Sequence, residues 1–171
     1  MNSFAFVKLI CLLLLITVAV IDFRHRKFKN HIFLLMLLAG SGFLILTASP
    51  YGIGWLQSLL GFAFAFCAFI FFYKLRWMGA GDVKFAAALG FWLGISSGFL
   101  FSFIGASLAA MLHAILVMNW ESITLAMNAW SKWIKIPTKV GVIYKRIPYA
   151  GYMAVAAIAW ILGGAENVVY V

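Results

Sequence analysis

Two aspartates lie where long apolar segments of this chain meet short polar ones. Asp82 belongs to the glycine-rich stretch Met78-Gly-Ala-Gly-Asp-Val-Lys84, between two apolar runs, and Asp22 ends the first apolar run. The whole chain holds only four acidic residues. Because an ionisable group at membrane depth costs a few kcal/mol, an acid in this position indicates a function.

A pair of carboxylates can hydrolyse a peptide bond. Asp22 ends its predicted helix and Asp82 begins its own, so the two face opposite poles of the helix dipoles. If the helices touch, repulsion and desolvation make the pair share one proton. The charged member can then take a proton from water while the neutral member donates one to the carbonyl oxygen. This chemistry requires neither a metal nor a nucleophilic side chain.

The glycines beside Asp82 fit such a site. Without a Cβ, Gly79 and Gly81 let the backbone approach a substrate strand, and they permit a positive φ just before the helix. Simpler interpretations stay open at this point. Asp22 could be an acid paired with the nearby basic residues, and Asp82 could be only a helix N-cap. The other two acids, Glu121 and Glu166, lie in a loop and a tail and are expected to be solvated.

The composition indicates an integral membrane protein. Of 171 residues, 66% are hydrophobic and only 10% are charged, and the mean hydropathy is +1.08. A soluble domain has about 25% charged residues. The net charge of +9 therefore indicates basic cytoplasmic loops rather than a nucleic-acid partner. The length fits a single membrane-embedded domain over residues 1–171.

No metal or cofactor site is predicted. The two cysteines lie far apart inside apolar runs, and the three histidines have no ligand spacing among themselves. These residues are Cys11, Cys67, His25, His31 and His113.

The apolar runs predict an all-α fold with six transmembrane helices. They cover about residues 4–21, 31–48, 55–73, 83–118 and 148–165. The fourth run is long enough for two spans, with a turn at residues 94–98. Between residues 119 and 147, apolar residues recur at helical steps and predict an amphipathic helix in the membrane interface, although an ordinary loop is the alternative. That stripe is Trp120, Ile123, Met127, Trp130 and Ile134.

The basic residues set the orientation. With an outward amino terminus and six alternating spans, twelve of the 13 lysines and arginines lie in cytoplasmic loops, and only Lys8 lies outside. The same arrangement places Asp22 and Asp82 at the cytoplasmic face.

These motifs resemble the prepilin peptidases, membrane aspartyl proteases with a Gly-x-Gly-Asp motif. Gly79-Ala-Gly-Asp-Val-Lys84 matches the family's Gly-x-Gly-Asp-x-Lys element in full. Asp22, followed by basic residues and Asn30, resembles its first element, although Phe28-Lys29 replaces the usual Ile-Pro before that asparagine. Arg146-Ile-Pro-Tyr-Ala150 resembles the Pro-Tyr-Ala segment that opens the last helix.

The resemblance implies a type IV prepilin leader peptidase of the inner membrane with Asp22 and Asp82 as catalytic residues. Gly79, Gly81, Lys84 and Asn30 then belong to the motif on the side where substrate approaches. The first loop lacks the paired cysteines of the bifunctional members, so the chain resembles the short, peptidase-only TadV/CpaA type without a methyltransferase domain. Its partners would be the lipid bilayer and a pilin-like (type IV or Flp) precursor, whose short basic leader it removes.

Two other functions remain open from the residues alone. A small ion or proton carrier could use the same aspartates, as could an assembly subunit of a larger membrane machine.

Overall fold

The computed structural model describes residues 3–25, 30–47, 53–76, 78–130 and 147–163. Within these ranges the chain forms seven helices and no strand. The helices are α1 (Ser3–His25), α2 (Asn30–Thr47), α3 (Trp55–Lys74), α4 (Ala80–Leu93), α5 (Ser97–Met118), α6 (Trp120–Trp130) and α7 (Tyr149–Leu162). The all-α prediction is thus confirmed for the part of the chain described.

The long fourth apolar run is divided as predicted. Gly94 ends α4 with φ +61°, a conformation that costs a glycine little. Ser96 then caps α5 by accepting a hydrogen bond from the Phe99 amide. The turn at residues 94–98 is therefore confirmed.

Three helices are long and apolar enough to cross a membrane: Phe6–His25, Trp55–Lys74 and Ser97–Met118. Large apolar side chains such as Leu13, Leu56 and Ile104 point outward from them, as contact with lipid requires. Helices α2, α4 and α7 are shorter. At 14 residues, α4 is about 21 Å long, against about 30 Å for the hydrocarbon core.

Helix α4 is the centre of the bundle, packed against α2, α3, α5 and α7. Every residue from Phe85 to Leu93 is buried, which explains why the segment is apolar on all sides. Its closest neighbour is α3, where Gly61 and Gly90 meet and a Cβ on either would overlap the other's carbonyl oxygen. On the α2 side, Trp92 Nε1 donates to the Met36 carbonyl at 2.8 Å.

Helix α7 is the second central helix. It lies between α1 and α5 and also touches α4. It runs antiparallel to α5, because Gly98 near the start of α5 packs on Trp160 near the end of α7. As a result, the end of α1 and the starts of α4 and α7 lie together at one end of the bundle.

Helix α6 covers the first part of the predicted amphipathic segment and packs on α5. Thr124 is buried, whereas Met127 of the apolar stripe is exposed and left for a partner such as lipid. The stripe beyond Trp130, including Ile134, lies outside the described residues. The interfacial location stays a prediction.

Candidate active site

Asp22 is held by the first turn of α7. It lies in the last turn of α1 and is 5% exposed, although its neighbour Phe23 is 40% exposed. The Gly151 amide donates to Asp22 Oδ2 at 2.7 Å, a distance typical of a charge-assisted hydrogen bond. A buried carboxylate at a helix C-terminus is unfavourable on its own, so this donor is needed to hold it there.

Asp82 is held by two backbone amides. It occupies the third position of α4, after the N-cap Gly79, and is not itself the N-cap. Its Oδ2 accepts from the Gly79 amide at 3.1 Å, which closes the first turn of α4. Its Oδ1 accepts from the Ala150 amide of α7 at 3.0 Å. The carboxylate therefore does more than cap its own helix.

The start of α7 brings the two acids together. The first helical amides normally lack partners, and here each is accounted for. Tyr149 donates to the Ile147 carbonyl and Tyr152 to the Pro148 carbonyl. The two amides between them, on Ala150 and Gly151, donate to Asp82 and Asp22. The positive pole of α7 adds favourable electrostatics for both carboxylates.

The bound oxygens of the two aspartates are close. Successive helical nitrogens lie about 3 Å apart, so with hydrogen bonds of 3.0 and 2.7 Å the oxygens are no more than about 9 Å apart. Asp22 and Asp82, sixty residues apart in sequence, thus meet at one helix end, as the sequence analysis predicted.

The electrostatics of the site favour a shared proton. Burial, reinforced by the charge of Asp22, raises the pKa of Asp82 from 3.8 to about 6, while the hydrogen bonds from Gly79 and Ala150 oppose the shift. The carboxyl of Asp82 precedes the apolar part of α4, at the mouth of the bundle. A pair of this kind can hold one proton at mildly acidic to neutral pH.

The glycines of the motif act through their size. The expected positive φ before α4 is wrong, because Gly79 is extended at φ −79° and Gly81 is helical. Among the described residues, positive φ occurs at Arg76 and Gly94 instead. A Cβ on Gly79 would lie 3.3 Å from Asp82 Oδ2, so a side chain there would press on the carboxylate.

The other two predicted motif residues contact each other. Lys84 Nζ donates to Asn30 Oδ1 at 2.7 Å and joins the second turn of α4 to the start of α2. The Asn30 side chain is exposed, and that of Lys84 partly exposed, at the end of the bundle where the aspartates lie.

The sequence analysis named Ala150 only as part of the segment that opens the last helix, without a role in the site, and it did not name Gly151. Both act through backbone N–H groups, which every residue except proline has, so their side chains give no sign of the role. A usable signal was the order Pro148, then three residues including the small Ala150 and Gly151, at the start of an apolar run. A Cβ on Gly151 would lie 3.3 Å from Asp22 Oδ2 and 3.2 Å from the Phe23 ring, which explains the glycine.

The relative positions of the cysteine, histidine and acidic side chains bear on metal binding. In the ranges that the structure covers, no three His, Cys, Asp or Glu side chains are grouped as metal ligands would be. Cys11 is buried in α1, while Cys67 is exposed on α3.

Comparison with protein-family models relates the chain to a known group. A model of the type IV leader peptidase family matches residues 9–115, more than half of the chain and a span that contains both aspartates. Comparison with curated proteins and with solved structures found no match. The family match supports a type IV prepilin leader peptidase function and implies a protease. The chain belongs to the type IV leader peptidase family.

Proposed function

We propose that this protein is a membrane aspartic endopeptidase that removes the short basic leader from pilin-like (type IV or Flp) precursors, with Asp22 and Asp82 as the catalytic pair. The observation that carries the proposal is the hydrogen bonding of both carboxylates to the successive amides of Ala150 and Gly151. Two acids fixed on one helix end, one of them with a raised pKa, have the properties that acid–base hydrolysis of an amide needs.

The reaction follows from the protonation of the pair. With Asp82 neutral and Asp22 ionised, Asp22 takes a proton from water, and the water oxygen attacks the carbonyl carbon of the scissile bond. Asp82 gives its proton to the carbonyl oxygen, which forms a neutral tetrahedral intermediate. Asp22 then returns the first proton to the amide nitrogen, the C–N bond breaks, and Asp82 recovers its proton from the intermediate.

The substrate approaches from the aqueous end of the bundle. Gly79 and Gly81 have no side chains to hinder an extended peptide beside Asp82, and Lys84 and Asn30 offer polar groups on the same side. The precursor's apolar helix lies in the bilayer, where the outward side chains of α1, α3 and α5 already face lipid. Its leader lies in water next to the aspartates.

The topology of the enzyme is six spans with an outward amino terminus in the inner membrane. The antiparallel packing of neighbouring helices supports this topology. The topology also gives twelve of the 13 basic side chains a cytoplasmic location, as the positive-inside rule requires. Helix α4 can be short because neighbouring helices, rather than lipid, surround its buried residues 85–93. A single peptidase domain of the short TadV/CpaA type, without methyltransferase activity, completes the proposal.

The test is cleavage of a synthetic pilin-like precursor by the protein in lipid vesicles. Asp22→Asn and Asp82→Asn should each lower the cleavage rate by at least about a hundredfold. Glu121→Gln is the matched control, since this acid is exposed on α6 and has no part in the hydrogen bonds that hold the pair, and its rate should equal that of the unmodified protein.

Retention of the normal cleavage rate by either aspartate variant would refute the proposal. A carrier would instead show aspartate-dependent proton flux across vesicles without any precursor. An assembly subunit would show neither activity.

A further inference from the structure

Two tyrosines flank the pair of amides that hold the aspartates. Tyr149 precedes Ala150, and Tyr152 follows Gly151. Each tyrosine reaches across to a polar side chain of α5, and neither α5 side chain has a part in the hydrolysis described above.

The first contact involves Tyr149 and Ser107. Their oxygens are 3.0 Å apart. Ser107 Oγ also lies 2.9 Å from the Phe103 carbonyl and the Tyr149 hydroxyl lies 3.4 Å from it, so either hydroxyl can be the donor between the two side chains. The Tyr149 ring also packs at a tilt on Phe69 of α3. The residue before the amide that binds Asp82 is thus tied to two other helices.

The second contact involves Tyr152 and His113. The Tyr152 hydroxyl lies 2.7 Å from His113 Nδ1. The Tyr152 ring meets the Phe23 ring edge-on, with centroids 5.4 Å apart and planes at 71°. Phe23 directly follows Asp22, so this contact lies beside the hydrogen bond from Gly151 to Asp22.

Both contacts restrain the first turn of α7 relative to the rest of the bundle. Packing alone fixes a tyrosine ring less firmly than packing together with a hydrogen bond. When the hydroxyl is also hydrogen-bonded to a second helix, the position of the ring and of its backbone is fixed more closely. A shift of the turn by a fraction of an ångström would lengthen the amide hydrogen bonds to both carboxylates. Catalytic geometry is sensitive to displacements of this size.

We propose that Ser107 and His113 are positioning residues of the peptidase: through the hydroxyls of Tyr149 and Tyr152 they fix the first turn of α7, and so set where Asp82 and Asp22 lie. This inference rests on the proposed function. It assigns neither residue a contact with the substrate. It also gives α5 a role in a reaction whose acids lie on α1 and α4.

The variants that test it remove hydroxyls and keep rings. Tyr152→Phe retains the edge contact with Phe23, and Tyr149→Phe retains the contact with Phe69. The loss of one hydrogen bond should lower kcat by about three- to tenfold in each variant. KM should change less than twofold, since the residues do not touch the precursor.

Coupling between His113 and Tyr152 distinguishes positioning from general destabilisation. The double variant His113→Leu with Tyr152→Phe should be no slower than the slower single variant, because both changes break the same hydrogen bond. His113→Asn, which keeps a polar group near the Nδ1 position, should recover part of the kcat lost in His113→Leu. Ser102→Ala is the control, since it removes a buried α5 hydroxyl bonded only to its own helix at the Gly98 carbonyl.

The inference would be overturned by unchanged kcat in both tyrosine variants, by losses that fall on KM, or by losses in Ser102→Ala of the same size. Additive effects in the double variant would overturn it as well. The proposed function fails separately, through active Asp22→Asn or Asp82→Asn protein, so the two failures are distinguishable.

Discussion

Replacement of Gly151 by alanine tests how closely the start of α7 holds Asp22. The new Cβ would lie 3.3 Å from Asp22 Oδ2 and 3.2 Å from the nearest atom of the Phe23 ring. Both distances are shorter than ordinary van der Waals contact, so the Asp22 and Phe23 side chains must move away from α7 by a few tenths of an ångström. The hydrogen bond from the Gly151 amide, now 2.7 Å long, lengthens as a result.

The size of the effect follows from that bond. A hydrogen bond to a charged group contributes about 1.5–3 kcal/mol, and the loss of about half of this corresponds to a roughly three- to tenfold slower reaction. The free energy of unfolding should change little, because alanine in place of a helical glycine contributes about 0.5–1 kcal/mol and offsets the crowding. The expected result is therefore a folded but slow enzyme.

The assay is cleavage of a pilin-like precursor in vesicles, with thermal unfolding in detergent measured in parallel. Gly42→Ala in α2 is the matched control, because a Cβ there has no atom within 4 Å. It should leave the cleavage rate unchanged and the protein as stable or slightly more so. If Gly151→Ala cleaves as fast as Gly42→Ala, then the Gly151 amide does not position Asp22 and the reasoning is refuted.

Three further predictions concern pH, packing and the motif. Because the pKa of Asp82 is raised to about 6, the singly protonated pair is present below that pH and lost above it. The value of kcat/KM should therefore fall on the alkaline side, with an apparent pKa near 6. A rate that instead rises through this range would contradict the assignment. Gly90→Ala should destabilise the protein by about 1–3 kcal/mol, seen as a lower unfolding temperature, because its Cβ would overlap the Gly61 carbonyl oxygen; an unchanged temperature would show that the helices do not cross there. Asn30→Ala should lower the free energy of unfolding by less than about 1 kcal/mol, since the hydrogen bond from Lys84 to Asn30 is solvent-accessible. The same variant should raise KM more than it lowers kcat. An unchanged KM would exclude a role of Asn30 in substrate approach.

The meeting of the two aspartates was predictable from charge and hydropathy. The positive-inside pattern predicts the end of α1 and the start of α4 at one membrane face, only two acids lie at those points, and the structure brings both to the start of α7. The turn at Gly94 was predictable too, since a single span cannot hold all of residues 83–118.

The backbone donors that hold the aspartates were not predicted. The donors are backbone amides of Ala150 and Gly151, and an amide becomes a site only when its helix begins at the right place in three dimensions. The burial of α4 on every side was not predicted either, because an apolar sequence does not distinguish a helix surrounded by lipid from one surrounded by protein. The contact of Gly61 with Gly90 depends on how α3 and α4 cross, which periodicity alone does not give.

The central claim is that Asp22 and Asp82 form one coupled pair, and an infrared pH titration of carboxyl groups in the precursor-free protein measures this most directly. The account predicts a protonated carboxyl band that disappears with a midpoint at pH about 6 and is absent in Asp82→Asn. In Asp22→Asn the midpoint should fall, because the charge that helps to raise the pKa of Asp82 is gone. A midpoint that is the same with and without the Asp22 charge would contradict the account, since the two carboxyls would then titrate independently.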